Sequence, residues 1–154
     1  RHKTLGDITE VLQKYWGTDP AKAVFLQRLA PHLDQPIKPG FFKGFLDLFF
    51  RYGDFFYIVD WKSNPLDGNP AFINETRIRD EVSLHFYFLQ YLLYSVVVHK
   101  HLSASLRNQY DYNRNFGGIR YYFLRAIAAG CPGGVYSDRP PEAMLDELAC
   151  VFGL

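Results

Sequence analysis

Cysteine is scarce in this sequence: Cys131 and Cys150 are the two present among 154 residues. They form no metal-ligand spacing, so two free thiols in a reducing compartment are the expectation. An excess of charge of one sign is also missing. The 17 Lys and Arg nearly balance the 16 Asp and Glu, for a net charge of +1. No global field therefore draws the chain to nucleic acid, and any DNA contact needs a local basic patch or basic neighbours on other domains. No apolar run approaches the roughly 20 residues of a membrane span. The longest lies near Tyr91 to Val98 and holds Ser95. No membrane partner is expected. The basic start Arg1-His2-Lys3 is followed by no apolar signal core. There is no internal repeat or low-complexity tract. A Gly-x-x-x-x-Gly-Lys-Ser/Thr phosphate loop is absent too, which places any ATP-driven motor outside these residues. The first residue is not Met, which points to a piece of a longer protein.

Aromatic residues are abundant, at 18% of the chain, within a 48% apolar and 21% charged composition typical of one globular domain with its own core. Phe41, Phe42, Phe45, Phe49, Phe50, Phe55, Phe56 and Tyr57 cluster in a way that favours strands. Asp7, as a cap with Glu10 reaching back, predicts a first helix carrying Ile8, Val11, Leu12 and Tyr15 on one face. Asp19-Pro20 opens a second helix ending near Pro31. Residues 36 to 40 read as a loop. Residues 41 to 52 and 55 to 61 read as an antiparallel hairpin turned at Gly53-Asp54. Residues 63 to 70, rich in Pro and Asn, read as an exposed loop. One long helix is predicted over about 74 to 101, a third strand over 119 to 124, and a last helix after Pro140-Pro141 carrying Met144, Leu145, Leu148 and Phe152. This order is a mixed α/β domain in which a helix crosses over between strands.

Chemistry concentrates in the hairpin. Asp60 and Lys62 are two apart on a strand and so share a face, with Trp61 on the other. The Gly53-Asp54 turn sets Asp47 opposite Asp60. Two opposed carboxylates repel. Beside Phe45, Phe49, Phe56 and Ile58 they are costly unless a cation sits between them. A hard divalent ion with oxygen ligands resolves this, and Mg²⁺ is the leading candidate. Lys62 adds a mobile positive charge that can orient water or offset charge on a phosphate. The bland alternative is a pair of solvated strand-end carboxylates with Lys62 as their ion-pair partner.

These residues resemble the PD-(D/E)xK nuclease core, through Asp47 followed by Asp60-Trp61-Lys62. The wider match is to the C-terminal nuclease domain of the RecB family, the beta subunit of bacterial exodeoxyribonuclease V. Phe42-Lys43-Gly44-Phe45-Leu46-Asp47-Leu48, Tyr57 to Asn64, and Leu89-Gln90-Tyr91-Leu92-Leu93-Tyr94 carry it, the last as a Gln-x-x-x-Tyr helix motif. Phe116-Gly117-Gly118-Ile119, Tyr122-Phe123-Leu124-Arg125, Tyr136 and Arg139-Pro140 extend it, so that it covers residues 39 to 154 and, less closely, the first helices.

The resemblance implies a restriction-endonuclease-like fold, a central mixed sheet flanked by helices, and a Mg²⁺-dependent deoxyribonuclease, with Mn²⁺ as a substitute. Asp47, Asp60 and the main-chain carbonyl of Trp61 would ligate the metal, and Lys62 would assist the water. Gln90 and Tyr94 would touch the DNA backbone or position Lys62. Tyr87, Gln90, Tyr91 and Tyr94 share one helix face, for which ordinary core packing is the plain alternative. His85 falls near a family histidine and reads as structural. The implied partners are DNA, as double-strand ends and single strands, and RecC-like and RecD-like subunits reached through a parent helicase-nuclease of the bacterial cytoplasm.

One departure stands out. The family's Gly-x-x-x-His metal ligand is missing: His2 and His32 precede Asp47, but neither follows a Gly at that spacing. Either the histidine helix lies upstream of Arg1, which the missing Met favours, or this member lacks the ligand; the expectation is that the isolated chain binds metal weakly and cleaves poorly. Two competing readings remain at this stage. One is an AddA-type or other iron–sulfur nuclease, disfavoured by having two cysteines. The other is a catalytically inactive docking or DNA-guiding module.

Overall fold

The computed structural model describes residues 3–37, 44–66, 73–131 and 133–154. The predicted strand residues 41–43, Lys43 among them, and parts of both predicted loops lie outside these. Four strands form one mixed sheet in the order β1 (Leu48–Tyr52), β2 (Phe55–Lys62), β3 (Phe116–Phe123), β4 (Val135–Asp138). β1 and β2 are antiparallel, with Leu48 opposite Val59 and Tyr52 opposite Phe55, in the register the Gly53-Asp54 turn dictates. β2 and β3 are parallel, with Asp60 opposite Tyr121 and Lys62 opposite Phe123. β4 returns antiparallel to β3. The parallel pair requires a crossover, supplied by α3 (Glu75–Leu84), α4 (Tyr87–Leu106) and the short α5 (Tyr112–Asn115). The fold is therefore the expected mixed α/β domain, a four-strand mixed sheet packed against helices.

The remaining helices are α1 (Leu5–Trp16), α2 (Pro20–Leu29), α6 (Leu124–Ala128) and α7 (Glu142–Phe152). α1 buries Ile8, Val11, Leu12 and Trp16, and α7 buries Met144, Leu145 and Leu148. These pack with Phe88, Leu92 and Val96 of α4 and with Ile58, Ile119, Tyr121 and Phe123 of the sheet in one core.

Several expected boundaries move, each for a local reason. α1 starts a turn earlier, because Thr4 is its cap and Asp7 is the residue that reaches back, accepting from the Thr4 amide at 2.7 Å. Asp19 caps α2 as expected, accepting from the Ala21 amide at 2.8 Å. β1 begins at Leu48, and of the expected strand residues before it, Gly44 to Asp47 lie outside it. β3 begins at Phe116, where Gly118 takes a φ of 84° and a Cβ would meet the Asp138 carbonyl at 2.3 Å. β4 had no signal strong enough to predict it.

The single long helix is in truth two, α3 and α4, bent by 82°. Phe86 makes the break in a left-handed conformation, φ 54°, with its ring against His32 and Phe88. No single described helix is long and apolar enough to cross a membrane.

Candidate active site

The chemistry-bearing end of the sheet is where β1 stops short and β2 runs on. Antiparallel pairing ends at Leu48 and Val59, so Asp47 stands one residue beyond the ladder. Its carboxylate takes the place of the next ladder carbonyl, accepting from the Trp61 amide at 2.9 Å. In a strand, a residue's N–H and C=O turn toward the same neighbour. The Trp61 carbonyl is therefore turned to this same open edge, beside Asp47. This corrects the expectation in two ways. Asp47 is exposed, outside the strand, and Phe45 is 73% exposed, so Asp47 is not desolvated as expected. The cost of burial falls on Asp60 alone.

Asp60 and Lys62 alternate with Trp61 and turn inward, where each side chain is about 8% exposed. Lys62 Nζ lies 2.6 Å from Asp60 Oδ2. Burial pushes the Asp60 carboxyl above the ordinary carboxylate value; Lys62 pulls it back in part, and the nearby Asp47 charge raises it further. The solvated strand-end alternative does not hold for Asp60. Nor is Lys62 mobile. It donates to Gln90 Oε1 at 2.7 Å, and its ammonium sits 3.8 Å over the Tyr87 ring and 4.5 Å over that of Tyr121.

From Gln90 the network continues. Gln90 Nε2 donates to the Tyr94 hydroxyl at 3.2 Å, and that hydroxyl donates to the Phe45 carbonyl at 3.0 Å. The Tyr94 ring lies against Gly44, where a Cβ would sit 2.9 Å from it. The Gln-x-x-x-Tyr pair thus joins the Lys62 ammonium at one end to the segment leading into Asp47 at the other. All five predicted side chains, Asp47, Asp60, Lys62, Gln90 and Tyr94, come together here. The 82° break at Phe86 puts Tyr87 and Gln90 in the first turn of α4, aimed at β2.

Tyr91, expected on the same face, belongs elsewhere. It is fully buried and its hydroxyl bonds Asp138. His85 caps α3 and lies 3.3 Å from buried Glu81, which Arg77 and Asn64 also engage, at 2.8 and 3.1 Å. That cluster ties the chain just after Lys62 to α3. Sequence reasoning missed Tyr121, whose hydroxyl lies 2.9 Å from Gln90 Oε1 and 3.0 Å from the Tyr87 carbonyl, two acceptors for its one proton. Its alternation with Ile119 and Phe123 on β3 was the available sign that it points inward.

Among the described residues, no three His, Cys, Asp or Glu side chains gather closely enough to hold a metal by themselves. The donor chemistry still fits a hard cation: two carboxylates and a carbonyl, all oxygen, beside a buried acid whose charge is incompletely offset.

No family model matches the chain. The RecB subunit of the RecBCD enzyme from Haemophilus influenzae is 39% identical over 113 residues, covering 73% of this chain and 9% of that protein. RecB of Escherichia coli is 36% identical, covering 71% of the chain, and RecB of Mycolicibacterium smegmatis is 36% identical over 163 residues, covering 97%. The chain is homologous to a segment of RecB. It spans between 9% and 15% of the length of these RecB proteins. The homology agrees with the resemblance to the RecB nuclease domain drawn from the motifs.

Proposed function

We propose that this chain is a Mg²⁺-dependent DNA nuclease module that hydrolyses phosphodiester bonds, and that it serves a RecBCD-type helicase-nuclease processing double-strand DNA ends for recombinational repair. One observation carries the reading. A buried Asp60–Lys62 ion pair sits next to a second carboxylate, Asp47, at an open sheet edge. Charge repulsion and burial make that arrangement costly without a cation. Homology to RecB, a subunit of the RecBCD enzyme, supports the biological setting, and we extend the proposal to RecC-like and RecD-like partners, a parent helicase and the bacterial cytoplasm.

In this reading Asp47, Asp60 and the Trp61 carbonyl hold the metal. When bound, Mg²⁺ would supply Lewis-acid stabilisation of the phosphate and acidify the attacking water. The chain's own groups do the rest. Lys62, held by Gln90 between the Tyr87 and Tyr121 rings, presents its ammonium toward charge that builds on the non-bridging oxygens. Gln90 keeps that ammonium in one place, so little reorganisation is needed when charge develops. Tyr94 fixes Gln90 and, through the Phe45 carbonyl, the approach of Asp47. DNA held mainly by its phosphates would be cut with little sequence preference.

The test is cleavage of linear DNA with Mg²⁺ or Mn²⁺ by this chain, both alone, where cutting is expected to be poor, and within a RecB-type parent protein. Asp60→Ala and Lys62→Ala should each cut at least about 100-fold more slowly than wild type. Undiminished cleavage by either variant sinks the assignment. DNA binding without any metal-dependent cutting by the wild type would favour a docking or DNA-guiding module instead.

A further inference from the structure

We propose that Tyr121 is a positioning residue whose hydroxyl fixes the orientation of the Gln90 amide and, through it, the place of the Lys62 ammonium. The proposal rests on the nuclease reading for its catalytic meaning, but its geometry stands apart from that reading.

A glutamine amide has an oxygen end that accepts and a nitrogen end that donates, and it can sit either way round. At Gln90 the choice matters. With Oε1 toward Lys62, the ammonium has an acceptor at 2.7 Å. Turned over, the amide would point two N–H groups at a buried positive charge. Lys62 itself favours the first arrangement, and Tyr94 accepts from Nε2 at the other end.

Tyr121 supplies a second donor to Oε1, at 2.9 Å, from a hydroxyl that also lies 3.0 Å from the Tyr87 carbonyl. This single group therefore touches both residues of α4 that hold Lys62. Its ring forms the further wall of the ammonium's cage, in edge contact with Tyr87 at 5.8 Å. The residue is fully buried on β3, opposite Asp60 in the parallel ladder, and has little freedom to move. Burial first, and the nearby Asp60 charge second, push its phenol far above the ordinary value, so it remains a donor. Its one proton can serve either acceptor, and donated to Oε1 it sets the amide, which a tyrosine that only fills core space would not do.

Tyr121→Phe keeps the ring and removes only the donor. Two measurements read the result. By NMR on the full chain, the Lys62 ammonium should give a slowly exchanging ¹H–¹⁵N signal, identified by its loss in Lys62→Arg. Tyr121→Phe should abolish that signal and shift the Gln90 side-chain amide, while Tyr110→Phe, which removes a hydroxyl bonded to the remote His99, should leave both unchanged. In cleavage assays, Tyr121→Phe should lower kcat about tenfold with KM within about twofold. In a Gln90→Leu background, the same change should cost almost nothing more, because both act through one amide.

A retained Lys62 signal in folded Tyr121→Phe overturns the proposal, as do additive losses in the double variant. If the wild type proves unable to cut DNA, the nuclease reading fails while the NMR arm still decides whether Tyr121 positions Lys62.

Discussion

Among the described residues, two lysine–carboxylate pairs are largely shielded from solvent, and they are built from the same parts to different ends. Lys22 of α2 pairs with Asp138 of β4, and Lys62 pairs with Asp60 on β2. Each ammonium lies over aromatic rings: Trp16 at 4.8 Å for Lys22, Tyr87 at 3.8 Å for Lys62. The carboxylates differ. Asp138 accepts from Lys22 and from the Tyr91 and Tyr136 hydroxyls on one oxygen, and from the Arg139 amide at 2.9 Å on the other. Asp60 has Lys62 as its side-chain partner among the described residues, and a second carboxylate beside it. A saturated, partly buried carboxylate is a lock, here joining α2, α4 and β4. Asp60, with fewer donors and a like charge beside it, is where the proposed cation would sit. On the proposed reading, the number of donors around each acid separates the structural pair from the functional one.

That contrast can be broken, and the largest effect should be on catalysis. Lys62→Ala should cost at least about 100-fold in the rate of DNA cleavage, whereas Lys22→Met should leave the rate per folded molecule unchanged. A matching loss in Lys22→Met would erase the distinction.

Stability should show the reverse order. Lys22→Met strands Asp138 without its cation, so chemical denaturation should report a loss of about 3 kcal/mol. Asp60→Asn relieves the repulsion from Asp47 but leaves the Lys62 ammonium buried without its anion, held by Gln90 and two rings, so its net loss should be smaller, about 1–2 kcal/mol.

A subtler difference should appear with pH. The folded Asp60 carboxyl holds its proton to higher pH than the unfolded chain, whose value is near 3.8. The folded state therefore binds more protons as pH rises from 3.8 through the raised folded value, and stability falls across that window. Metal-free denaturation at a series of pH values should show this fall in wild type and not in Asp60→Asn. Added Mg²⁺ should reduce it.

The smallest effect belongs to a surface pair. Glu147 is held below its ordinary value by hydrogen bonds from Lys14 and Tyr15. Its contribution is present above the unfolded value of 4.5 and fades as pH falls through the lower folded one. Glu147→Gln should therefore cost a little stability at neutral pH and nothing in acid, a difference that salt should shrink further.

How much of this was legible beforehand follows from how local each feature is. The hairpin register came directly from the Gly53-Asp54 turn, and with it the meeting of Asp47 with the Asp60 end of β2. Alternation along β2 placed Asp60 and Lys62 together on the inner face. The α3–α4 break was hidden because Phe86 is neither Gly nor Pro. Its left-handed conformation comes with tertiary packing against His32 and Phe88, which no local pattern announces. The parallel neighbour β3 brings Tyr121 from far along the chain, so its bond to Gln90 could not be read from spacing. Tyr91 shared the expected helix face with Gln90, yet the flanks of one face reach different partners, Asp138 for the first and Lys62 for the second.

Cation binding at the sheet edge is the claim on which the account turns, and calorimetric titration of Mn²⁺ into the chain measures it most directly. Weak but saturable binding is expected in wild type and in Lys22→Met, and its loss in Asp60→Asn and Asp47→Asn. Equal heats from wild type and Asp60→Asn would contradict the account.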